Sequence, residues 1–131
     1  MLDGAFATLI GCIDGRIQIP LNTWIKKTYQ VSYVDTITEP GVDGLAGDPE
    51  HVQKIRNKAM ISRDAHGSNL IVISGHHSCA ANPGSAQDHI PQIRRWVELV
   101  HSWEWNVKVV GVWVNKDWEV EPIKMHTEKE M

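Results

Sequence analysis

No run of apolar residues approaches the roughly 18 to 20 needed to cross a bilayer, so no membrane-spanning helix is expected. The opening stretch, MLDGAFATLIGC, carries an acidic residue and no basic cluster, so a secretory leader of the usual kind is not expected there. Positive charge is not in excess either: thirteen basic and sixteen acidic side chains are interspersed, for a formal charge of −3. Without a basic stripe a phosphate backbone has nothing to dock on, and nucleic acid is set aside as a partner. Cysteine is scarce, with two residues 67 positions apart. These features lead to the expectation of a cytoplasmic protein, and in a reducing compartment such a pair is more often metal-binding or catalytic than a disulfide. Low-complexity stretches are absent.

What the chain has is apolar mass. Of its 131 residues 42% are apolar and six are tryptophan, enough for one domain over residues 1–131 with a core that needs no staples. So many tryptophans on so small a domain also lead us to expect a homodimer or higher homo-oligomer, some indoles meeting a second subunit.

Residues 5–11 (AFATLIG) form an apolar run ending in glycine, the pattern of a buried parallel strand. Pro20 is expected to open a helix with Leu21, Trp24, Ile25 and Thr28 on one face. Residues 31–38 (VSYVDTIT) read as a second strand, followed by the loop GVDGLAGD. Asp48, Pro49 and Glu50 start a helix that runs to about His66 and stops at Gly67. Residues 69–74 (NLIVIS) are the expected central strand. Ser85 caps a helix with Ile90, Ile93, Val97 and Val100 on its apolar face, ending near Trp103. Residues 107–114 form a further buried strand and 118–123 an antiparallel edge partner, with 124–131 a frayed tail. This alternation implies an α/β fold: a mainly parallel central sheet of four to five strands flanked by helices, with right-handed crossovers. Sites in such sheets lie beyond the carboxyl ends of the strands, where both cysteines fall.

Two clusters carry the chemistry. In Cys12-Ile13-Asp14-Gly15-Arg16, alternate residues of an extended segment share a face, which brings thiol, carboxylate and guanidinium together. In His76-His77-Ser78-Cys79, the i, i+3 spacing lets an imidazole and a thiolate converge on one ion. Cys12, His76 and Cys79 thus offer two sulfurs and a nitrogen, a set that suits zinc, and three protein ligands leave a position open for water or substrate. Asp14 is near enough to swing in as a fourth ligand and close the site. Arg16, by pairing with Asp14, would hold it away.

The Cys-x-Asp-x-Arg of Cys12, Asp14 and Arg16, followed by the Gly-His-x-x-Cys of Gly75, His76 and Cys79, resembles the β-class carbonic anhydrases. The order of elements resembles that family too, over most of the chain. The resemblance implies that Cys12, His76 and Cys79 bind zinc, that Asp14 and Arg16 are a catalytic dyad, and that the protein is a lyase hydrating carbon dioxide reversibly to bicarbonate. In that chemistry zinc acidifies its bound water and the resulting hydroxide attacks the carbon. Departures from the family lie at Ala80 and Ala81, where two glycines are common, and at Glu39-Pro40-Gly41, in place of an Asn-Ala-Gly stretch. Eleven residues precede Cys12, where the family usually has a helical arm that wraps a dimer mate. Relatives with this metal motif also hydrolyse carbonyl sulfide or carbon disulfide, so a hydrolase of those molecules is the alternative on the same site.

Blander readings compete residue by residue. A cysteine at a strand end is often packing, and Asp14 with Arg16 alone would be an ordinary ion pair. It is their convergence with His76 that favours a metal. His77, beside a ligand, is read as a surface histidine before it is read as a proton carrier. His51, His66, His89, His101 and His126 lack ligand spacing and read as solvated or helix-face residues. Two further classes stay open: a non-catalytic zinc module with Asp14 closing the metal, and a thiol redox protein, disfavoured because no Cys-x-x-Cys is present.

Overall fold

A computed structural model describes residues 4–125. Five strands form one sheet in the order β2-β1-β3-β4-β5: β1 (Phe6–Gly11), β2 (Tyr33–Thr38), β3 (Leu70–His76), β4 (Lys108–Val114) and β5 (Val120–Pro122). The pairs β1–β2, β1–β3 and β3–β4 are parallel, and β5 closes the edge antiparallel to β4. Three helices connect them: α1 (Gly15–Tyr29), α2 (Pro49–His66) and α3 (Ala86–Ser102), with a 3₁₀ turn at Val42–Leu45. The α/β architecture expected from the alternation of apolar runs is the one observed.

The core is two layers, one on each face of the sheet, because alternate residues of a strand point to opposite sides. Ala7, Leu9, Leu70, Val72, Val112 and Val114 pack with Ile17, Leu21 and Ile25 of α1. Ile10, Ile71 and Ile73 pack on the other face with Ile55 and Ala59 of α2 and Ile93, Trp96, Val97 and Val100 of α3. All seven residues of β3 are buried, as a central strand requires.

Several boundaries differ from expectation. Helix α1 starts at Gly15, not at Pro20, because Asp14 caps it by accepting the Arg16 amide. Pro20 lies inside the helix, where its missing N–H removes one bond of the ladder. The buried face is Ile17, Leu21 and Ile25, with Trp24 half-buried and Thr28 exposed. Strand β3 runs on through His76, since its pairing with β4 continues to His76↔Val114. The tail expected to fray from 124 is held at its start: Arg94 donates to the Lys124 carbonyl at 3.1 and 2.6 Å, and Met125 packs on the core. Positions 126–131, and with them His126, lie outside the described residues. Helix α2 matches its expected limits, with Asp48 accepting the Glu50 and His51 amides and Gly67 left-handed at φ 69°.

The feature that positions the site is a fork. Strands β1 and β3 pair only through Thr8↔Ile71, Leu9↔Val72 and Ile10↔Ile73. Beyond that, β1 stays with β2 as far as Gly11↔Thr38 and β3 stays with β4. A single side-chain bond from Ser74 Oγ to the Ile10 carbonyl, 3.3 Å, spans the start of the opening. A crevice of this kind, where the order of connection reverses at the carboxyl ends, is where α/β sheets hold their ligands.

Candidate metal centre

Cys12 follows the last residue of β1, His76 is the last residue of β3, and Cys79 lies in the loop after it, so the three meet across the fork. All are buried, and their donor atoms lie within 4.8 Å of one another. The two sulfurs are 3.9 Å apart. Tetrahedral zinc with Zn–S bonds near 2.3 Å would set them at about 3.8 Å. The imidazole is oriented for the same purpose: its Nδ1 is 2.8 Å from the His77 carbonyl, to which it donates, while Nε2 is buried with no partner among the described residues. A bond of this kind fixes the tautomer and leaves Nε2 a lone pair for an ion. By donor chemistry, spacing and the orphaned nitrogen, this Cys-His-Cys group fits zinc.

The loop returns because Ser78 is left-handed, at φ 61°, and it is anchored by the His77 amide donating to the Val114 carbonyl at 2.8 Å. Burial pushes the Cys79 thiol above its ordinary pKa, and the neighbouring Cys12 adds to this, while the nearby amides of Asn82 and Ala81 pull the other way. Cys12 accepts the Gly41 amide at 3.4 Å. Gly41 has φ 60°, and a β-carbon there would come 2.9 Å from Asn82 Cβ, so both conformation and space require glycine.

Asp14 and Arg16 form a fork-to-fork pair beside these ligands: Nε donates to Oδ1 at 3.0 Å and Nη2 to Oδ2 at 2.7 Å. The Arg16 side chain is the main reason the Asp14 carboxyl is lowered to about 2; partial burial opposes it, and the Arg16 amide and nearby His76 assist. Arg16 is itself tied to the ligand loop, donating to the Ser78 carbonyl at 3.0 Å. It also lies 4.6 Å over the ring of Trp118. Asp14 does not join the group of donor atoms around Cys12.

Several residues around the site were not legible as such. Gln18 donates from one amide to the carbonyls of Cys12 and Asp14, at 2.9 and 2.8 Å, which fixes the backbone between them. Trp118 forms the wall under Arg16 and meets the His77 ring edge-on at 6.3 Å. His89, expected to be solvated or on a helix face, is 1% exposed and bonded to Asp43, itself 3% exposed. His77 is exposed, as expected. Glu39 is half-buried after β2, its amide donating to the Gly11 carbonyl at 3.2 Å. A cavity of about 550 Å³ opens at the opposite, amino-end edge, lined by Phe6, Tyr29, His66, Lys108 and their neighbours, and contains none of these groups.

The fold is that of the β-carbonic anhydrases. The chain is 17% identical to β-carbonic anhydrase isoform I of the protozoan Trichomonas vaginalis, over 88% of this chain and 81% of that one, with a TM-score of 0.59. It is 12% identical to the carbonic anhydrase of Glaciozyma antarctica, covering 89% and 81%, at 0.62. One of two tetrameric β-carbonic anhydrases of the filamentous ascomycete Sordaria macrospora matches at 12% identity, 93% and 82% coverage, and 0.54. No curated protein matches the chain. A family described as "Putative carbonic anhydrase" matches residues 2–124. The chain belongs to this family, and it has the β-carbonic anhydrase fold.

Proposed function

We propose that the protein hydrates carbon dioxide reversibly to bicarbonate, with zinc held by Cys12, His76 and Cys79. The observation that carries this reading is the orphaned, tautomer-fixed Nε2 of His76 facing two thiols across the fork, with a charged Asp14–Arg16 pair beside it. When bound, zinc would supply an acidified water able to attack the carbon of a linear heterocumulene.

The chain's own residues supply the rest. Arg16 engages both oxygens of Asp14, which keeps the carboxylate ionised near neutrality and off the metal. Oδ1 takes both the Arg16 amide and Nε, whereas Oδ2 accepts only from Nη2 and retains a further lone pair. Through Oδ2, Asp14 is therefore an acceptor held beside the Cys-His-Cys group, where it would favour a bound group that carries a hydrogen. This arrangement supports an open, catalytic site over a module that Asp14 closes. Two thiolates offset the charge of zinc, so a water at this site is acidified less than at an all-imidazole one, and activity should rise towards alkaline pH.

Exposed apolar side chains support a homo-oligomer: Ile13 and Ile19 beside the site are 59% and 78% exposed, and Ile61 is 64% exposed beside the β2 edge. Light scattering at several concentrations tests this; a monomer throughout refutes it.

The test of function is zinc content together with stopped-flow hydration of carbon dioxide from about pH 6 to 9, on the wild type and on Asp14→Ala. Stoichiometric zinc and rapid hydration, lost in the variant, is the expected outcome. Full zinc with no hydration at any pH removes the carbon dioxide reading, and carbonyl sulfide and carbon disulfide are then the substrates to assay.

A further inference from the structure

A buried acid–imidazole pair lies directly behind the site, on the other face of the sheet. Asp43, in the 3₁₀ turn, is bonded through Oδ2 to Nδ1 of His89 on α3, both fully buried. Its Oδ1 accepts from Asn82 Nδ2 at 2.9 Å, and the same amide donates to Gln92 Oε1 at 2.8 Å. The turn is also pinned by Trp96, whose Nε1 donates to the Val42 carbonyl at 2.9 Å. Three glycines make room for the network. A β-carbon at Gly75 would overlap the Asp43 carboxylate, and one at Gly41 or Gly44 would come 2.9 Å from Asn82. Burying such a polar cluster is unfavourable unless every bond is made, and His89 Nε2 has no partner among the described residues; hydrophobic residues of like volume would serve stability as well.

What the network touches is specific. Asp43 stands two residues after Gly41, whose amide donates to the Cys12 sulfur. Asn82, held by Asp43, stands three residues after Cys79, and its own amide and that of Ala81 face the Cys79 sulfur. One carboxylate thus ties together the two segments whose backbone N–H groups face both sulfurs. Resting on the reading of Cys12 and Cys79 as zinc ligands, we propose that Asp43 and His89 are positioning residues for the sulfur ligands: they hold these amides on the thiolates and so set how much charge the thiolates donate to the metal. An N–H bond stabilises the sulfur lone pairs, which leaves the metal more electrophilic; outer partners of this kind set both orientation and electronics.

The test is cobalt substitution of the intact protein, reading the sulfur-to-cobalt charge-transfer band, with zinc affinity measured by chelator competition. His89→Phe keeps the volume but removes the bond to Asp43. We expect its band to move to lower energy and its zinc affinity to fall by about 10- to 100-fold, the range seen when outer partners of metal ligands are lost. His89→Gln, which can still donate to Asp43, should restore much of both. Asn82→Ala, in a half-exposed loop, should give a smaller shift of the same sign, and it decides the matter if His89→Phe does not fold. A merely structural role would lower the melting temperature and leave the band in place. Variants with wild-type spectra and affinities overturn the proposal while the zinc reading stands. A wild type that takes up cobalt with no charge-transfer band removes the zinc reading itself.

Discussion

Replacing Gly75 by alanine adds one methyl group to a strand, yet the structure makes it a severe change. Gly75 has no unusual backbone angle, so alanine suffers no conformational strain there. The methyl would instead overlap the Asp43 carboxylate and come 2.9 Å from Ile93 Cδ1. A free aspartate would swing aside; this one is held by His89 and Asn82 inside a close-packed layer. Either the pair breaks, or β3 is displaced with His76 on it. Separating a buried, hydrogen-bonded pair costs about 3 to 5 kcal/mol. With an unfolding entropy of about 0.3 kcal/mol per degree for a chain of this length, that is roughly 10 to 17 °C of melting temperature. Circular dichroism melts at fixed protein and zinc concentration measure it. Gly15→Ala is the control: nothing lies within 4 Å of a β-carbon there, and a helical Gly→Ala change should be neutral or raise stability by up to about 1 kcal/mol. If Gly75→Ala melts within about 3 °C of the wild type, the reasoning about the buried pair is refuted.

His76→Ala should abolish zinc binding after dialysis against a mild chelator, by elemental analysis, because two thiols alone leave the ion half-coordinated; retained stoichiometric zinc would show that other residues hold it. Trp118→Ala removes the surface under Arg16, a contact worth about 0.5 to 1 kcal/mol at exposed sites. Several-fold slower hydration with unchanged zinc content is expected, and an unaltered kcat would exclude a part for the indole. Asp14, lowered to about 2 from 3.8, favours the folded state above the ordinary carboxylate range; that contribution disappears as pH falls through about 4 to 2. Urea midpoints of wild type and Asp14→Asn should therefore converge on acidification, and a gap that persists at pH 2 contradicts the assignment. Hydration should climb from pH 6 to 9, and a flat profile would argue against two thiolates on the metal.

Much of the fold and the core of the site could be read in the chain because their signals are local. Residues 69–74 are a continuous apolar run, Asp48-Pro49 is a cap followed by a helix starter, and the cysteines fall at the carboxyl ends of strands; each follows from neighbours along the chain. Pro20 misled because proline suits a first helical position, whereas Asp14, six residues before it, had already capped the helix. His89 misled for the opposite reason. Its partner Asp43 is 46 residues away, so nothing beside it in sequence distinguishes a buried histidine from one on a wet helix face. Trp118 and Gln18 are missed likewise, since stacking on Arg16 and binding two carbonyls depend on where loops return. The glycine of Gly-His-x-x-Cys could be seen as a motif residue, but its physical reason, the carboxylate pressed against its back, exists only in three dimensions.

The fork between β1 and β3 also bears on how the molecule comes to be. Ser74 and Ile10, which meet where it opens, are 64 residues apart in the chain, so this seam demands the closure of a long loop. Such pairings are slow to form compared with a helix or a hairpin. Cys12 stands on one side of the seam and His76 and Cys79 on the other, and the unfolded chain offers no preformed site. In a refolding experiment, the appearance of sulfur-to-cobalt absorbance would time the closing of this one seam, a clock placed by the topology at the least local step in the assembly of the sheet.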